Sequence, residues 1–247
     1  MPKQKQKPLN LAHRGASGHA PENTLAAFRL ARELGADGLE FDVQVTKDGV
    51  PVVIHDEALV RTTGAKGYVF DHTFEEIRRL DAGSWYGEAF RGERIPSLEE
   101  VLAEFGDLVL NAELKNSHFD MPELEAKAIG LIRQYGLEQR VILSSFHHMS
   151  MQQLHRAAPE LKTALLYDCV LVDAVGYAKR LGASALHPFF GTVKPELIAE
   201  AHAAGLMVNV WTVNDETQMR LCAEAGVDAI ITNYPDRLRM VLNSVLD

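Results

Sequence analysis

No run in the 247 residues is long and apolar enough to span a bilayer. The longest apolar stretch, 164–178, is broken by Asp168 and Asp173 and falls short of the roughly 18 residues required. Cysteine is scarce: Cys169 and Cys222 are the two thiols and lack metal-ligand spacing. That excludes a disulfide framework, and both are expected to be buried core thiols of a reducing compartment. Positive charge is in deficit, with 25 Lys+Arg against 34 Asp+Glu for a net −9, and the one basic cluster is the stretch 2–7. Nucleic acid is therefore not an expected partner. The N-terminal stretch has no apolar run ahead of a small-residue cleavage site, so no export signal is read and the cytoplasm is the expected location. Gly15-Ala16-Ser17-Gly18 is too short and wrongly placed for a phosphate-binding glycine loop, and Gly-x-Ser-x-Gly is missing. Nucleotide cofactors and a serine nucleophile are thereby disfavoured.

What is present is an ordinary globular composition, 47% hydrophobic and 24% charged. At this mass, burial of about 70% of the unfolded surface is expected, enough for one large core. From Leu9 onward, short β-rich runs alternate with amphipathic helical patterns, the mark of parallel strands joined by helical crossovers. Strand candidates fall at 10–13, 38–45, 51–55, 108–114, 141–145, 163–167, 185–187, 206–211 and 229–232. The second and third are linked by five residues containing Asp48-Gly49, which dictates an antiparallel hairpin. Removing that strand leaves eight, with helices such as 23–34, 122–135, 195–204 and 217–225 between them. The expected fold is α/β, a TIM (β/α)8 barrel of residues 9–247 behind a flexible basic tail at 1–8. A small insertion of about 57–95 follows the second strand and is expected to cover one side of the barrel mouth. Asn23-Thr24 and Ser97 with Glu100 read as N-caps.

In such barrels chemistry belongs at the carboxyl ends of the strands. Strand alternation puts Glu40 and Asp42 on one face and Asn111, Glu113 and Lys115 on another, and in a barrel both faces can point inward. Three converging carboxylates need a counter-ion, and an all-oxygen set without cysteine suits one hard divalent cation, Mg²⁺ or Ca²⁺. Ion pairing with Arg14 or Lys115 is the structural alternative. His13 and His55 end neighbouring strand-like segments, and a histidine pair can run general acid and base catalysis together. Arg14 and Lys115 offer donors for phosphate oxygens, and Trp211 offers an apolar wall with one N–H. His187, at a strand end, is a weaker candidate; His72, His118, His147, His148, His155 and His202 read as loop or helix residues.

The set His13-Arg14-Gly15-Ala16, Pro21-Glu22-Asn23-Thr24, Glu40-Phe41-Asp42-Val43, Thr46-Lys47-Asp48-Gly49 and His55-Asp56 resembles the glycerophosphodiester phosphodiesterase family. The likeness continues through Arg61-Thr62-Thr63-Gly64, Leu80 to Trp85, Ile95 to Leu102, Glu113-Leu114-Lys115, Trp211 to Asn214 and Asp228 to Asp236. The resemblance implies metal-dependent hydrolysis of small glycerophosphodiesters to sn-glycerol 3-phosphate and an alcohol, without stable membrane association. By it, His13 and His55 match catalytic histidines, Glu40, Asp42 and Glu113 metal ligands, Arg14 and Lys115 phosphate-binding cations, and Trp211 a substrate wall. Two other readings are an enzyme of the phospholipase D kind acting on lysophospholipids, favoured by an apolar rim at Trp85, Tyr86 and Phe90, and a non-catalytic phosphoester-binding barrel. The oligomeric state is left open.

Overall fold

Each βα unit is started and stopped by its own residues. Thr24 accepts a hydrogen bond from the Ala27 N–H at the start of α1 (Leu25–Glu33), a cap that contributes about 1 kcal/mol. The computed structural model describes residues 7–116, 121 and 123–245. Residues 1–6 of the basic tail, His118 and Pro122 lie outside the described residues.

The strands are β1 (Leu9–His13), β2 (Gly38–Val45), β3 (Pro51–Val53), β4 (Val109–Leu114), β5 (Val141–Ser145), β6 (Lys162–Tyr167), β7 (Ala185–Pro188), β8 (Met207–Val210) and β9 (Ala229–Thr232). The sheet runs β1-β9-β8-β7-β6-β5-β4-β2-β3, and β1 also pairs with β2, so eight parallel strands close into a barrel. β3 is the antiparallel return of the hairpin, pairing Val43 with Val53 and Val45 with Pro51. Between β3 and β4 lie α2 (Val60–Thr63), α3 (Phe74–Arg78) and α4 (Leu98–Phe105), and the outer ring continues with α5 (Leu124–Gln134) and α6 (His148–Ala157). It is completed by α7 (Ala174–Leu181), α8 (Pro195–Ala203), α9 (Glu216–Ala225) and α10 (Pro235–Val245). Ser97 and Glu100 form a reciprocal capping box on α4, and Asp173 and Asp215 cap α7 and α9.

The main core lies between the barrel wall and the helices, where Phe28 of α1 packs against Phe41 of β2 and Phe105 of α4 at ring separations of 5.9 and 5.8 Å. Truncating such a fully buried ring costs roughly 3–5 kcal/mol. A separate small core of Val52, Ile54, Leu59, Val69, Ile77, Ala82 and Ile95 fastens the insertion onto β3. The insertion has more order than its Thr- and Gly-rich sequence suggests: α2, α3 and two 3-10 turns, with Thr73 and Glu76 forming a capping box on α3.

Two expectations need correcting. Cys169 is exposed, in the loop after β6, because the apolar run around it continues into that loop and not into a helix; Cys222 is buried as expected. The helix at 23–34 starts at Leu25, because Asn23 takes a left-handed φ of 57° and turns its side chain into the barrel mouth. Among the described residues no helix is long and apolar enough to cross a membrane.

Candidate active site

Register assembles the site before any side chain is considered. Parallel pairing sets His13 opposite Glu40, Glu40 opposite Asn111, and Asp42 opposite Glu113. Residues level with one another in a sheet share a face, so these side chains converge inside the barrel at the carboxyl ends of β1, β2 and β4. Oxygens of Glu40, Asp42 and Glu113 lie within 4.8 Å of one another, and Glu40 and Glu113 line a cavity with His13, Arg14, His55, Asn111, Lys115, Phe146, Leu166, Trp211, Thr212 and Ile231.

Local backbone geometry aims the cations. Arg14 adopts φ 54°, a left-handed conformation that costs a side-chain-bearing residue about 1–3 kcal/mol and persists where the surroundings impose it. Here the Arg14 N–H donates to Glu40 O at 2.8 Å and Glu40 Oε2 at 3.1 Å, and the Asn23 N–H donates to Arg14 O at 3.0 Å. Gly15 follows with φ 80°, where a Cβ would come within 2.7 Å of the Ala27 backbone, so only glycine fits. The Arg14 guanidinium donates to Glu22 Oε1 at 2.9 Å and pairs with Asp42 Oδ2 at 3.3 Å. Lys115 Nζ donates to Glu113 Oε1 at 2.8 Å and stands 3.7 Å from Asp42 Oδ1.

Both histidines are held by Nδ1. His13 donates from Nδ1 to Asn233 Oδ1 at 2.6 Å, and His55 donates to Asp56 Oδ1 at 2.7 Å. Those acceptors select the tautomer whose Nε2 carries the free lone pair. His13 Nε2 is 3.9 Å from Glu40 Oε2. Burial, with Arg14 alongside, lowers the pKa of His13 to about 4. Gln44 Nε2 donates to the carbonyls of Ile54 and His55 at 3.1 and 2.9 Å, tying the hairpin end to β2.

The electrostatics show a shortage of positive charge. Burial pushes Glu40 well above the carboxylate range, with repulsion from Asp42 and Glu113 adding to it. Glu113 is likewise raised by burial and by Asp42. Burial acts on Asp42 in the same direction, but Arg14 and Lys115 outweigh it and hold the group below its usual value. With every group ionised, the linked carboxylates Glu22, Glu40, Asp42, Asp56 and Glu113 outnumber the cations Arg14, Arg61 and Lys115 by two, and the raised pKa values of Glu40 and Glu113 reflect that shortage. A divalent cation would balance that excess, and buried Asp42 Oδ1, with Lys115 Nζ at 3.7 Å but no hydrogen-bond partner among the described residues, is a donor atom available to it. The ion-pair alternative and the cation therefore complement each other, since Arg14 and Lys115 neutralise only part of the cluster.

His13, Arg14, Glu40, His55, Glu113, Lys115 and Trp211 line one cavity at this mouth, with Asp42 against Glu40 and Glu113. Sequence reasoning assigned no role to Glu22, Asp56, Arg61, Phe146 or Asn233, and to Asn23 only a share in a helix cap. Asn23 Nδ2 donates to Asp42 Oδ2 at 2.8 Å, and Phe146 meets Trp211 edge-on at 5.5 Å. For Phe146 and Asn233 the usable signal was position, since each lies directly past the end of a barrel strand. His187 is wholly buried beneath the site, accepts at Nε2 from Asn209 Nδ2 at 2.9 Å and does not line the cavity.

A closed parallel barrel with this constellation at the carboxyl ends of its strands defines a phosphodiester-cleaving hydrolase. Residues 13–237 match the profile of the Glycerophosphoryl diester phosphodiesterase family, and the chain belongs to that family. It is 49% identical over 234 residues to a glycerophosphodiester phosphodiesterase of Caldanaerobacter subterraneus subsp. tengcongensis, covering 94% of this chain and 96% of that one. Its likeness to a glycerophosphodiester phosphodiesterase of Bacillus altitudinis is 42% over 231 residues, covering 92% and 94%. Among solved structures it superposes on an Oleispira antarctica phosphodiesterase in complex with the product sn-glycerol-3-phosphate, with TM-score 0.88, 31% identity and coverage of 96% and 97%. The reaction is the hydrolysis of glycerophosphodiesters.

Proposed function

We propose that the mouth hydrolyses small, soluble glycerophosphodiesters to sn-glycerol 3-phosphate and an alcohol, with His13 and His55 as proton-transfer groups and Arg14 and Lys115 on the phosphate oxygens. The observation carrying this is one cavity lined at once by both histidines, both cations, Glu40 and Glu113. Glu40, Asp42 and Glu113 would hold one divalent cation, Mg²⁺ or Ca²⁺, which when bound polarises the phosphoryl oxygens and neutralises the carboxylates. Arg14 and Lys115 add fixed positive charge where charge develops on phosphorus in the transition state.

The histidines differ in partner, and the difference suggests their roles. His55 Nδ1 is held by the Asp56 carboxylate, which fixes the ring with Nε2 toward the cavity, and to His55 falls delivery of a proton to the leaving alcohol. His13 has a neutral amide partner and Arg14 beside it, which favour the neutral ring, so His13 takes the proton of the nucleophile. That nucleophile is water or the glycerol 2-hydroxyl, and only the second produces a cyclic phosphate visible by phosphorus NMR during turnover. Phe146 and Trp211 face the carbon skeleton, and the soluble substrate with two free thiols fits a cytoplasmic enzyme.

The test is release of sn-glycerol 3-phosphate from glycerophosphocholine or glycerophosphoethanolamine, with EDTA and then with Mg²⁺ or Ca²⁺ restored. His55→Ala should recover activity on a p-nitrophenyl ester, whose leaving group needs no proton, and His13→Ala should not. The opposite pattern exchanges the two roles. A second reading, cleavage of lysophospholipids, is favoured by Trp85 and Tyr86, 42% and 37% exposed and stacked edge-on at 5.7 Å on the insertion. Faster turnover of a lysophospholipid than of glycerophosphocholine would select it.

A further inference from the structure

Arg61 stands on α2, one residue from buried Thr62 and two from Leu59, which is sealed in the small core of the insertion. Its guanidinium lies between two carboxylates and grips both. Nη1 and Nη2 donate to the Glu22 carboxylate at 2.8 Å each, while Nε and Nη2 donate to Asp56 at 2.5 and 3.1 Å. Trp85 stacks against the far side, with its ring centre 6.0 Å from the guanidinium carbon. Each carboxylate in turn holds a residue of the cavity: Glu22 accepts from Arg14, and Asp56 accepts from the Nδ1–H of His55.

We propose that Arg61 is a positioning residue that couples the phosphate-binding Arg14 to the proton donor His55 by clamping Glu22 and Asp56 together. A planar five-donor fork suits this task and a lysine ammonium does not, because two bidentate pairs require fixed, coplanar donors. The clamp also ties the insertion to the barrel: Arg61 is anchored through the small core, Glu22 belongs to the loop after β1, and Asp56 follows the hairpin. The geometry of both working side chains thus depends on the insertion being seated. This inference rests on the roles proposed above for Arg14 and His55.

The test uses the full chain with saturating Mg²⁺ or Ca²⁺ and compares the parent with Arg61→Ala, Arg61→Lys, Glu22→Gln and Asp56→Asn. Arg61→Ala should lower kcat by roughly 10- to 100-fold, the scale of a small misplacement of reacting groups, and should raise KM. Asp56→Asn should act mainly on kcat and Glu22→Gln mainly on KM. Combining either with Arg61→Ala should cost less than the sum of the single losses. Ring ¹⁵N NMR of His55 should report a protonated, hydrogen-bonded Nδ1 in the parent and loss of that hydrogen-bonded signal in Arg61→Ala. Methylguanidine should restore part of kcat to Arg61→Ala, and Arg61→Lys should fall between the two. Parental kcat and unchanged His55 shifts in Arg61→Ala overturn the proposal, as does full recovery by Arg61→Lys. Should Arg61→Ala not fold, full additivity of Arg61→Lys with Asp56→Asn overturns it equally. Activity retained by His55→Ala on glycerophosphocholine would instead overturn the roles beneath it.

Discussion

From β1 to β4 the barrel mouth presents His13, Arg14, Glu40, Asp42, Glu113 and Lys115, whereas from β5 to β9 the residues lining the cavity are Phe146, Leu166, Trp211, Thr212 and Ile231, apolar but for the threonine. Phe189 extends the second arc, 6.0 Å from Trp211. The two arcs do complementary work. In the proposed reaction the charged groups would hold the phosphoryl end, and an apolar wall opposite them would exclude water and strengthen each electrostatic interaction across the cavity. The charged arc is expensive, since three carboxylates are desolvated together; Arg14 and Lys115 offset part of the cost, and the triad could hold a divalent cation to offset the rest.

Substitutions should separate the arcs by kind of effect. In the charged arc, His55→Ala and His13→Ala should each lower kcat by roughly 10²–10⁴-fold on natural substrates, read as release of sn-glycerol 3-phosphate. A change below tenfold in both would remove them from proton transfer. Glu113→Gln should weaken calorimetrically measured Mg²⁺ or Ca²⁺ binding by more than the roughly 10–100-fold typical of an outer-shell partner. Unaltered affinity would show that the carboxylates are satisfied by Arg14 and Lys115 alone. In the apolar arc, Trp211→Ala should raise KM by about 2- to 10-fold with kcat little changed, since it removes packing and not charge.

The smallest effect lies beneath the apolar arc. Burial lowers the pKa of His187 from 6.5 to about 3, so between those values the unfolded chain binds a proton that the folded chain refuses. Stability should therefore fall as pH drops from about 6.5 towards 3, and the melting temperature of His187→Gln should vary less steeply over that window. His13, lowered to about 4 by burial and Arg14, and carboxylates held low by cations, such as Asp56 at about 2, keep part of the slope, so the variant curve should flatten without becoming level. A parental slope in the variant would show that His187 does not contribute.

Much of this was legible along the chain because periodicity and punctuation are local. The hairpin followed from a five-residue link too short for a crossover, and the caps at Thr24 and Ser97 followed from residue type and spacing. Glu40, Asp42 and Glu113 stood out because carboxylates inside apolar strands have few ways to be solvated. Partners from distant segments were not legible. Asn233 is 220 positions from His13, and Arg61 is 39 from Glu22. The exposure of Cys169 was misread for the same reason, since an apolar run does not reveal where a strand gives way to a loop.

The sequence by itself determined the class of fold, the hairpin, and the residue types available at the carboxyl end of each strand, since alternation, turn chemistry and capping act over a few residues. The tertiary structure alone decided which of those residues meet. Closure of β1 onto β2 and the register of β2 on β4 set the carboxylates within reach of one another. The seating of the insertion's small core brought Arg61 between Glu22 and Asp56. Distances across a barrel depend on strand register and closure, properties of the whole sheet that no short stretch of sequence contains.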